Sequence, residues 1–205
     1  MHLEVLKSKQ KEIFFKLKNF PEFYLTGGTA LALQIKHRIS ADFDLFCKKD
    51  IPKSLLPKVK RVFKKFEVDT IINQSEQLSV RIDVFKIDFV KYKFPLILKP
   101  IKFEGVKILP IKEIAASKAY VLNFRGTFKD YVDLYFILKY KYSSLKEIKK
   151  IAEKKYKNEF NFRLFLEQLI YLEDIKEGKI EFLGEKVSKP EMQKFFEEEI
   201  QKLSI

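Results

Sequence analysis

Two glycines after one apolar run, and two aspartates in the next, limit the possible folds more than any other feature of this chain. The run Phe23–Leu25 ends at Thr26-Gly27-Gly28-Thr29, and Asp42-Phe43-Asp44 follows the 13 residues 29–41. Glycines at a strand end let the backbone approach a ligand, and the helix that they open directs free N–H groups at an anion. Alternate residues of a strand share one face, about 7 Å apart. The pattern favours a strand–helix–strand unit that carries an anion site and two carboxylates.

The two motifs are more specific together than either motif is alone. A Gly-Gly pair alone is typical of a turn, and Asp-x-Asp alone is typical of a solvated strand edge. In this order and at this spacing, they place a phosphate-binding loop next to carboxylates that can chelate a divalent metal. The combination indicates phosphoryl or nucleotidyl transfer.

The segment 25–46 resembles a known signature. Its Thr-Gly-Gly-Thr-Ala-Leu-Ala-Leu and Arg-x-Ser-x-Asp-Phe-Asp-Leu-Phe look like the AbiEii/AbiGii toxin family within the polymerase-beta-like nucleotidyltransferase superfamily. Two later segments, 114–118 and 125–135, resemble further motifs of that family in the same order. The resemblance covers about residues 23–138.

The resemblance implies an α+β nucleotidyltransferase fold, a mixed β-sheet flanked by helices and followed by a C-terminal helical half. It also implies a nucleoside triphosphate held at the glycine turn and the family's Arg-x-Ser, and Mg²⁺ (two ions, with Mn²⁺ as an alternative) held by carboxylates. The implied nucleotide-binding residues are Gly27, Gly28, Thr29, Arg38, Ser40 and Lys118. The implied catalytic metal ligands are Asp42, Asp44 and a third carboxylate.

Asp83 and Asp88 are the two candidates for that third carboxylate. Period-2 alternation in Phe85–Phe89 puts Lys86 and Asp88 on one strand face, which matches the Lys-x-Asp strand of the family. Asp83 lies at an expected turn, where an aspartate usually bonds the local backbone. We therefore predict Asp88 as the ligand. Lys86 has two interpretations, a phosphate contact or a solvated strand lysine.

Four residues of the distal motifs have candidate roles: Lys118 as a nucleotide-binding residue, and Arg125, Asp130 and Asp133 as auxiliary residues in addition to Lys86. Lys118 could contact the triphosphate, or it could extend along its helix as a surface lysine. Asp130 and Asp133 are one helical turn apart and share a face, so either could act as an auxiliary base, hold Lys118 or cap the helix. Arg125 is a candidate phosphate contact on an RNA acceptor.

Composition limits the class of protein. The 41 Lys and Arg against 28 Asp and Glu give a net charge of +13, which favours nucleic acid or nucleotides as partners but also suits solvated helix faces. The single cysteine, Cys47, excludes an intrachain disulfide and indicates a cytoplasmic protein. The apolar runs are shorter than the roughly 20 residues of a membrane span, so no membrane partner is expected.

The pattern changes from mixed to helical near residue 110. We predict an α/β nucleotidyltransferase core at 1–110 and a helical region at 111–205 that packs against it and does not fold independently.

The function that the resemblance implies is metal-dependent transfer of a nucleoside monophosphate from an NTP to an acceptor hydroxyl. The acceptor implied for some members is RNA, such as the 3′ end of a tRNA, and the protein is the toxin of a toxin–antitoxin or abortive-infection system, paired with a cognate antitoxin. Two alternatives remain open at this point: a small-molecule nucleotidyltransferase of the antibiotic-modifying kind, and a catalytically silent nucleotide-binding interaction module.

Overall fold

The computed structural model describes residues 1–124 and 126–203. The chain divides into two compact units, and neither unit is a single continuous stretch of the chain. The first unit comprises Met1–Pro95 and Lys99–Leu109, while the second comprises Leu96–Leu98 and the chain from Pro110 onward. The main boundary lies between residues 109 and 110, and the three-residue segment Leu96–Leu98 belongs to the second unit.

The first unit is built on a mixed sheet. Its elements in chain order are α1 (Ser8–Lys16), β1 (Tyr24–Thr26), α2 (Gly27–Ile35), β2 (Phe43–Cys47), α3 (Leu55–Val62), β3 (Val68–Asn73), β4 (Gln77–Ile82), β5 (Phe85–Lys91), β6 (Ile101–Phe103) and β7 (Val106–Ile108). Within the described residues the sheet has seven strands in the order β3-β4-β5-β2-β1-β7-β6. The pairs β1–β7 and β2–β5 are parallel and the other neighbours are antiparallel.

Burial alternates along the central strands, as expected for strands with one buried face. In β2 and β5 every second residue is buried, and the residues between them are half-buried. Phenylalanine supplies much of the core beneath the sheet. The ring of Phe20 lies 5.1 Å from that of Phe89 and stacks on that of Phe63, and the ring of Phe23 meets Phe89 at 5.0 Å.

One strand was not predicted from the sequence. The sequence pattern predicts a loop from Pro95 to Pro100 and the next strand only at residue 106, but Ile101–Phe103 pairs with β7 as the edge strand β6. The two residues that join the strands, Glu104 and Gly105, have φ of 50° and 82°. Positive φ at both central residues is the geometry that suits a two-residue hairpin turn.

The second unit is helical. Its elements are α4 (Ile111–Leu122), α5 (Phe128–Lys139), α6 (Leu145–Tyr156), α7 (Phe162–Ile170) and α8 (Lys189–Gln201). The helix α4 packs against α5, α6 and α7, while α8 packs against α5 and α7. Capping boxes begin α5, α6 and α8, so their first free N–H groups have side-chain partners. Among the residues that the structure describes, no helix is both long enough and apolar enough to span a bilayer.

Candidate active site

Asp44 and Asp88 lie side by side on two neighbouring strands. β2 and β5 run parallel, and their register sets Asp44 opposite Asp88. Neighbouring strands are about 4.8 Å apart, and residues in register point to the same face. The residues that flank both aspartates along the strands are fully buried on the opposite face. Alternation therefore brings two carboxylates, 44 residues apart in the chain, to one half-exposed surface of the sheet.

The glycine turn lies directly against the first of these carboxylates. β1 pairs with β2 so that Thr26 is opposite Asp44, and α2 begins at the next residue, Gly27. Gly27 has φ of +69°, and a Cβ atom there would lie 2.1 Å from Oδ2 of Asp44. Only glycine fits this position, because a side chain would strain the backbone and also displace the carboxylate.

Arg38 and Ser40 lie over the second glycine. A Cβ atom at Gly28 would be 2.6 Å from Nη2 of Arg38 and 2.9 Å from Oγ of Ser40. Arg38 is buried, and its Nη1 also donates to the Ile39 carbonyl oxygen at 3.1 Å. The guanidinium group and the N-terminal end of α2 together make this turn electropositive, as an anion site requires.

The loop that leads to Asp42 is held by buried polar side chains. The Thr29 hydroxyl donates to the Asp42 carbonyl oxygen, and Nε2 of Gln10 donates to the carbonyl oxygens of Ser40 and Ala41 at 2.7 and 3.0 Å. Asp42 itself is exposed and lies immediately before β2.

The Thr29 side chain has a structural role. Its side chain is fully buried, and its hydroxyl hydrogen is directed at loop carbonyl oxygens. It positions the loop that carries Asp42, and the side chain is not directed at a ligand.

Asp88 is bound by two side chains on the same surface. Its Oδ2 accepts from Nζ of Lys86 at 2.7 Å, and its Oδ1 accepts from Oγ of Ser79 at 2.5 Å. The hydrogen bond to Asp88 is the largest cause of a raised pKa at Lys86, and the negative charges of Asp88, Asp42 and Asp44 raise that pKa further. Lys86 thus lies in the field of all three predicted carboxylates.

The donor set fits a hard divalent cation by its chemistry. Carboxylate oxygens are the ligands that Mg²⁺ and Mn²⁺ prefer. In the arrangement described, however, no three acidic, histidine or cysteine side chains of residues 1–124 and 126–203 are grouped closely enough to hold an ion. The cation next to Asp88 is instead the Lys86 ammonium group.

Asp83 lies elsewhere and makes local contacts. It has φ of +51° in the two-residue turn between β4 and β5, where its Oδ1 accepts from the Glu67 backbone N–H at 3.1 Å. Its Oδ2 pairs with Lys9 at 3.0 Å. These two partners lower the pKa of its carboxyl group, Lys9 most strongly.

The second unit contains its own buried charge cluster, Lys118 with Asp130 and Asp133. Nζ of Lys118 lies 2.8 Å from Asp130 and 2.6 Å from Asp133, whose side chain is fully buried. Asp130 also accepts from the N–H and the hydroxyl of Thr127 at the start of α5. Burial opposes the charge on Asp130, but the charge and hydrogen bond of Lys118 and the bonds from Thr127 outweigh it, so its pKa is lowered. Arg125, the fourth auxiliary candidate, lies outside the described residues.

The sequence analysis missed two residues of the first unit, Gln10 and Ser79. The signal for Ser79 was available, because a two-residue turn at 83–84 pairs Ile82 with Phe85 and so sets Ser79 opposite Asp88. No comparable signal marks Gln10, a buried glutamine in a polar stretch of α1.

Comparison with known proteins identifies the family. The sequence model of the nucleotidyl transferase AbiEii toxin, type IV toxin–antitoxin system, matches residues 14–204. The chain belongs to the AbiEii family. The predicted resemblance to the AbiEii family is thereby confirmed.

Relatives of this AbiEii chain include an uncharacterized protein of Aquifex aeolicus, aq_aa25. The two are 34% identical over 177 residues, which cover 84% of this chain and 85% of the relative.

Two crystal structures share the fold. A Helicobacter pylori protein proposed to be a nucleotidyltransferase superposes with a TM-score of 0.63 at 20% identity, and 97% of each chain is covered. The H. pylori protein JHP933 superposes with a TM-score of 0.55 at 17% identity, again over 97% of each chain. The predicted α+β nucleotidyltransferase fold is confirmed.

Proposed function

We propose that this AbiEii protein transfers a nucleoside monophosphate from an NTP to a hydroxyl group of RNA, and that it does so with divalent metal. The observation that carries the proposal is the register that sets Asp44 beside Asp88, with the Gly27 turn against Asp44. This arrangement puts an anion-binding turn and a pair of carboxylates on one surface, which is what phosphoryl transfer requires.

Each part of the site has a task. The backbone of Gly27 and Gly28 and the guanidinium group of Arg38 bind the triphosphate, and the N-terminal end of α2 favours its charge. Asp42, Asp44 and Asp88 are the residues that would hold Mg²⁺, which supplies charge neutralisation for the phosphates when bound. Lys86, already within the field of the three carboxylates, adds positive charge next to them.

The reaction balances without further reagents. An oxygen–phosphorus bond forms between the acceptor hydroxyl and the α-phosphate, and the bond between the α-phosphate and the pyrophosphate group breaks. The hydroxyl proton passes to the Asp88 carboxylate, which Ser79 and Lys86 hold in place. Pyrophosphate leaves with the electron pair of the broken bond.

Family membership and composition support a biological setting for the proposed activity. Membership in a toxin family supports a role in a toxin–antitoxin system, in which a cognate antitoxin counteracts the protein. The net charge of +13 supports an RNA acceptor, and a single buried cysteine supports a reducing, cytoplasmic location.

The test is a transfer assay with the purified protein. It is incubated with each radiolabelled NTP, Mg²⁺ and total RNA, and the labelled product is sized by electrophoresis, with chelator and the Asp44→Asn protein as controls. We expect label on RNA that depends on metal and on Asp44. Label only on a small molecule would promote an antibiotic-modifying activity, and no label on any acceptor would indicate a silent binding module.

A further inference from the structure

A concave surface of the second unit carries lysines that the proposed chemistry does not use. It is a cavity of about 360 Å³, near the lower end of the sizes typical of ligand sites. Lys112, Lys150 and Lys154 line it, together with Glu147. Its apolar lining comes from Ile97, Leu98 and Ile151. We call this the α6 pocket.

The charge of the α6 pocket is only partly compensated. Glu147 pairs with Lys112. Lys150 and Lys154 form no ion pair with any described residue, and four residues apart on α6 they lie on the same helix face. Like charges at this spacing destabilise a helix. The pocket thus presents two positive charges that have no ion-pair partner among the described residues, and a bound anion would balance them.

A buried carboxylate fixes the segment that supplies part of the apolar lining of the α6 pocket. The Glu113 carboxylate is fully buried and accepts from the Ile97 and Leu98 backbone N–H groups, the latter at 2.8 Å. The same carboxylate binds Nζ of Lys155, also buried, at 2.8 Å. The segment that contributes Ile97 and Leu98 is therefore fixed by charged hydrogen bonds, so the pocket does not depend on a ligand to shape it.

We propose that the α6 pocket binds a phosphate and its attached sugar from the RNA acceptor. Two uncompensated ammonium groups suit a phosphodiester, the apolar lining suits the face of a ribose or base, and the volume suits about one nucleotide. This inference rests on the proposed RNA acceptor. It assigns part of the acceptor's binding to a site of the helical unit that is separate from the carboxylates.

The test measures RNA binding without catalysis. Fluorescently labelled, deacylated tRNA is titrated with the full-length protein in chelator and without NTP, and the affinity is measured over a range of salt concentrations. The pocket variant is Lys150→Gln with Lys154→Gln. The matched control is Lys146→Gln with Lys149→Gln, which removes the same charge from exposed positions of the same helix that do not line the pocket.

We expect the pocket variant to bind tRNA with a shallower salt dependence, by about 0.7 in log–log slope for each phosphate that the variant no longer binds. The control should keep nearly the slope of the unchanged protein. Equal effects in both variants would show that charge acts diffusely and would overturn the assignment, as would no effect in the pocket variant or no tRNA binding by the unchanged protein.

A competition arm separates RNA from smaller phosphates. If adenosine monophosphate or inorganic phosphate displaces tRNA from the unchanged protein but not from the pocket variant at concentrations near those of the RNA, the site is a nucleotide or anion site and the proposal is overturned. The transfer assay is read separately. A protein that binds tRNA through the α6 pocket and yet labels no RNA would contradict the proposed function and leave this inference standing.

Discussion

At the scale of single residues, the site depends on a contact between a carboxylate and a backbone without a side chain. Oδ2 of Asp44 occupies the space that a Cβ of Gly27 would need. The consequence is a direct coupling between the turn that would hold phosphate and the carboxylate that would hold metal. A change at either residue should therefore disturb both parts of the site.

Gly27→Ala tests that coupling. The positive φ should lower the free energy of unfolding by at least about 1 kcal/mol, and displacement of Asp44 should lower the transfer rate as well. Gly105→Ala is the matched control, because Gly105 also has positive φ but its nearest neighbour is a carbon of Lys18. Urea unfolding and the transfer assay are measured on both. Similar activity losses at matched stability would contradict the coupling.

Asp42→Asn and Asp44→Asn should remove transfer while the fold persists. Each change removes one ligand charge at nearly constant volume, and a loss of several kcal/mol of transition-state stabilisation corresponds to a rate on the order of a thousandfold lower. Initial rates are compared with those of Asp69→Asn, an exposed aspartate of β3. Near-normal turnover in either site variant, with an unchanged melting curve, would contradict the proposed metal site.

Substitutions of Asp88 and Asp83 should have different effects on transfer activity and stability. Asp88→Asn should abolish transfer, because Asp88 adjoins Asp44, whereas Asp83→Asn should keep transfer and lose only some stability, because its carboxylate holds Glu67 and Lys9. Rates and thermal unfolding of the two variants are measured side by side. The reverse pattern would mean that the third ligand is at the turn.

At the scale of elements, the sequence predicted those strands whose polar and apolar residues alternate. The pair β4–β5 was predictable because both strands alternate in this way, although the turn at Asp83 and Val84 contains neither glycine nor asparagine. β6 was not, because it is three residues long, exposed at the edge, and begins next to Pro100, while Glu104 gives no sign of its positive φ. Motif order predicted Asp42, Asp44 and Asp88 as site residues, but hydrogen bonds such as that of Thr29 depend on packing that periodicity does not report.

The link between α4 and α5 gives a prediction with a pH dependence. Lys118→Met should lower the free energy of unfolding by about 3–5 kcal/mol, because it removes a cation from buried Asp133 and Asp130. Asp130→Asn should cost less, about 1–2 kcal/mol near neutral pH.

The pH dependence of the Asp130 contribution has a definite sign. Its folded pKa is lower than the ordinary 3.8, so its stabilisation is fully present above that value and is lost as pH falls through the folded pKa. The difference in unfolding free energy between Asp130→Asn and the unchanged protein should accordingly shrink below pH 3.8. Denaturant titrations at several pH values measure it, and a difference that grows in acid would contradict the assigned cluster.

At the scale of the whole molecule, composition indicates the charge of a favoured partner but does not indicate where on the protein it would bind. A net charge of +13 favours an anionic partner, yet only the folded chain shows that Lys112 is compensated while Lys150 and Lys154 are not. The loop of residues 96–98 likewise looked like part of the first half, because no pattern in three residues reveals that a distant glutamate binds their N–H groups.

Glu113→Ala should weaken the second unit as a whole. It leaves Lys155 buried without its carboxylate and frees two backbone N–H groups, so we expect a loss of about 3–5 kcal/mol in unfolding free energy. Hydrogen exchange at Ile97 and Leu98 should speed up at the same time. Glu153→Ala, an exposed change on α6, is the control, and equal exchange rates in both variants would contradict the role of Glu113.

The path of the chain between the units limits where this protein can be divided into separate pieces. It passes from the first unit to the second after Pro95, returns after Leu98, and leaves again after Leu109. A division of the chain at residue 110 would leave Glu113 in one piece and the Ile97 and Leu98 N–H groups that it binds in the other. A helical half that begins at residue 110 should therefore leave the buried Glu113 carboxylate without two of its hydrogen-bond donors unless residues 96–98 are supplied with it.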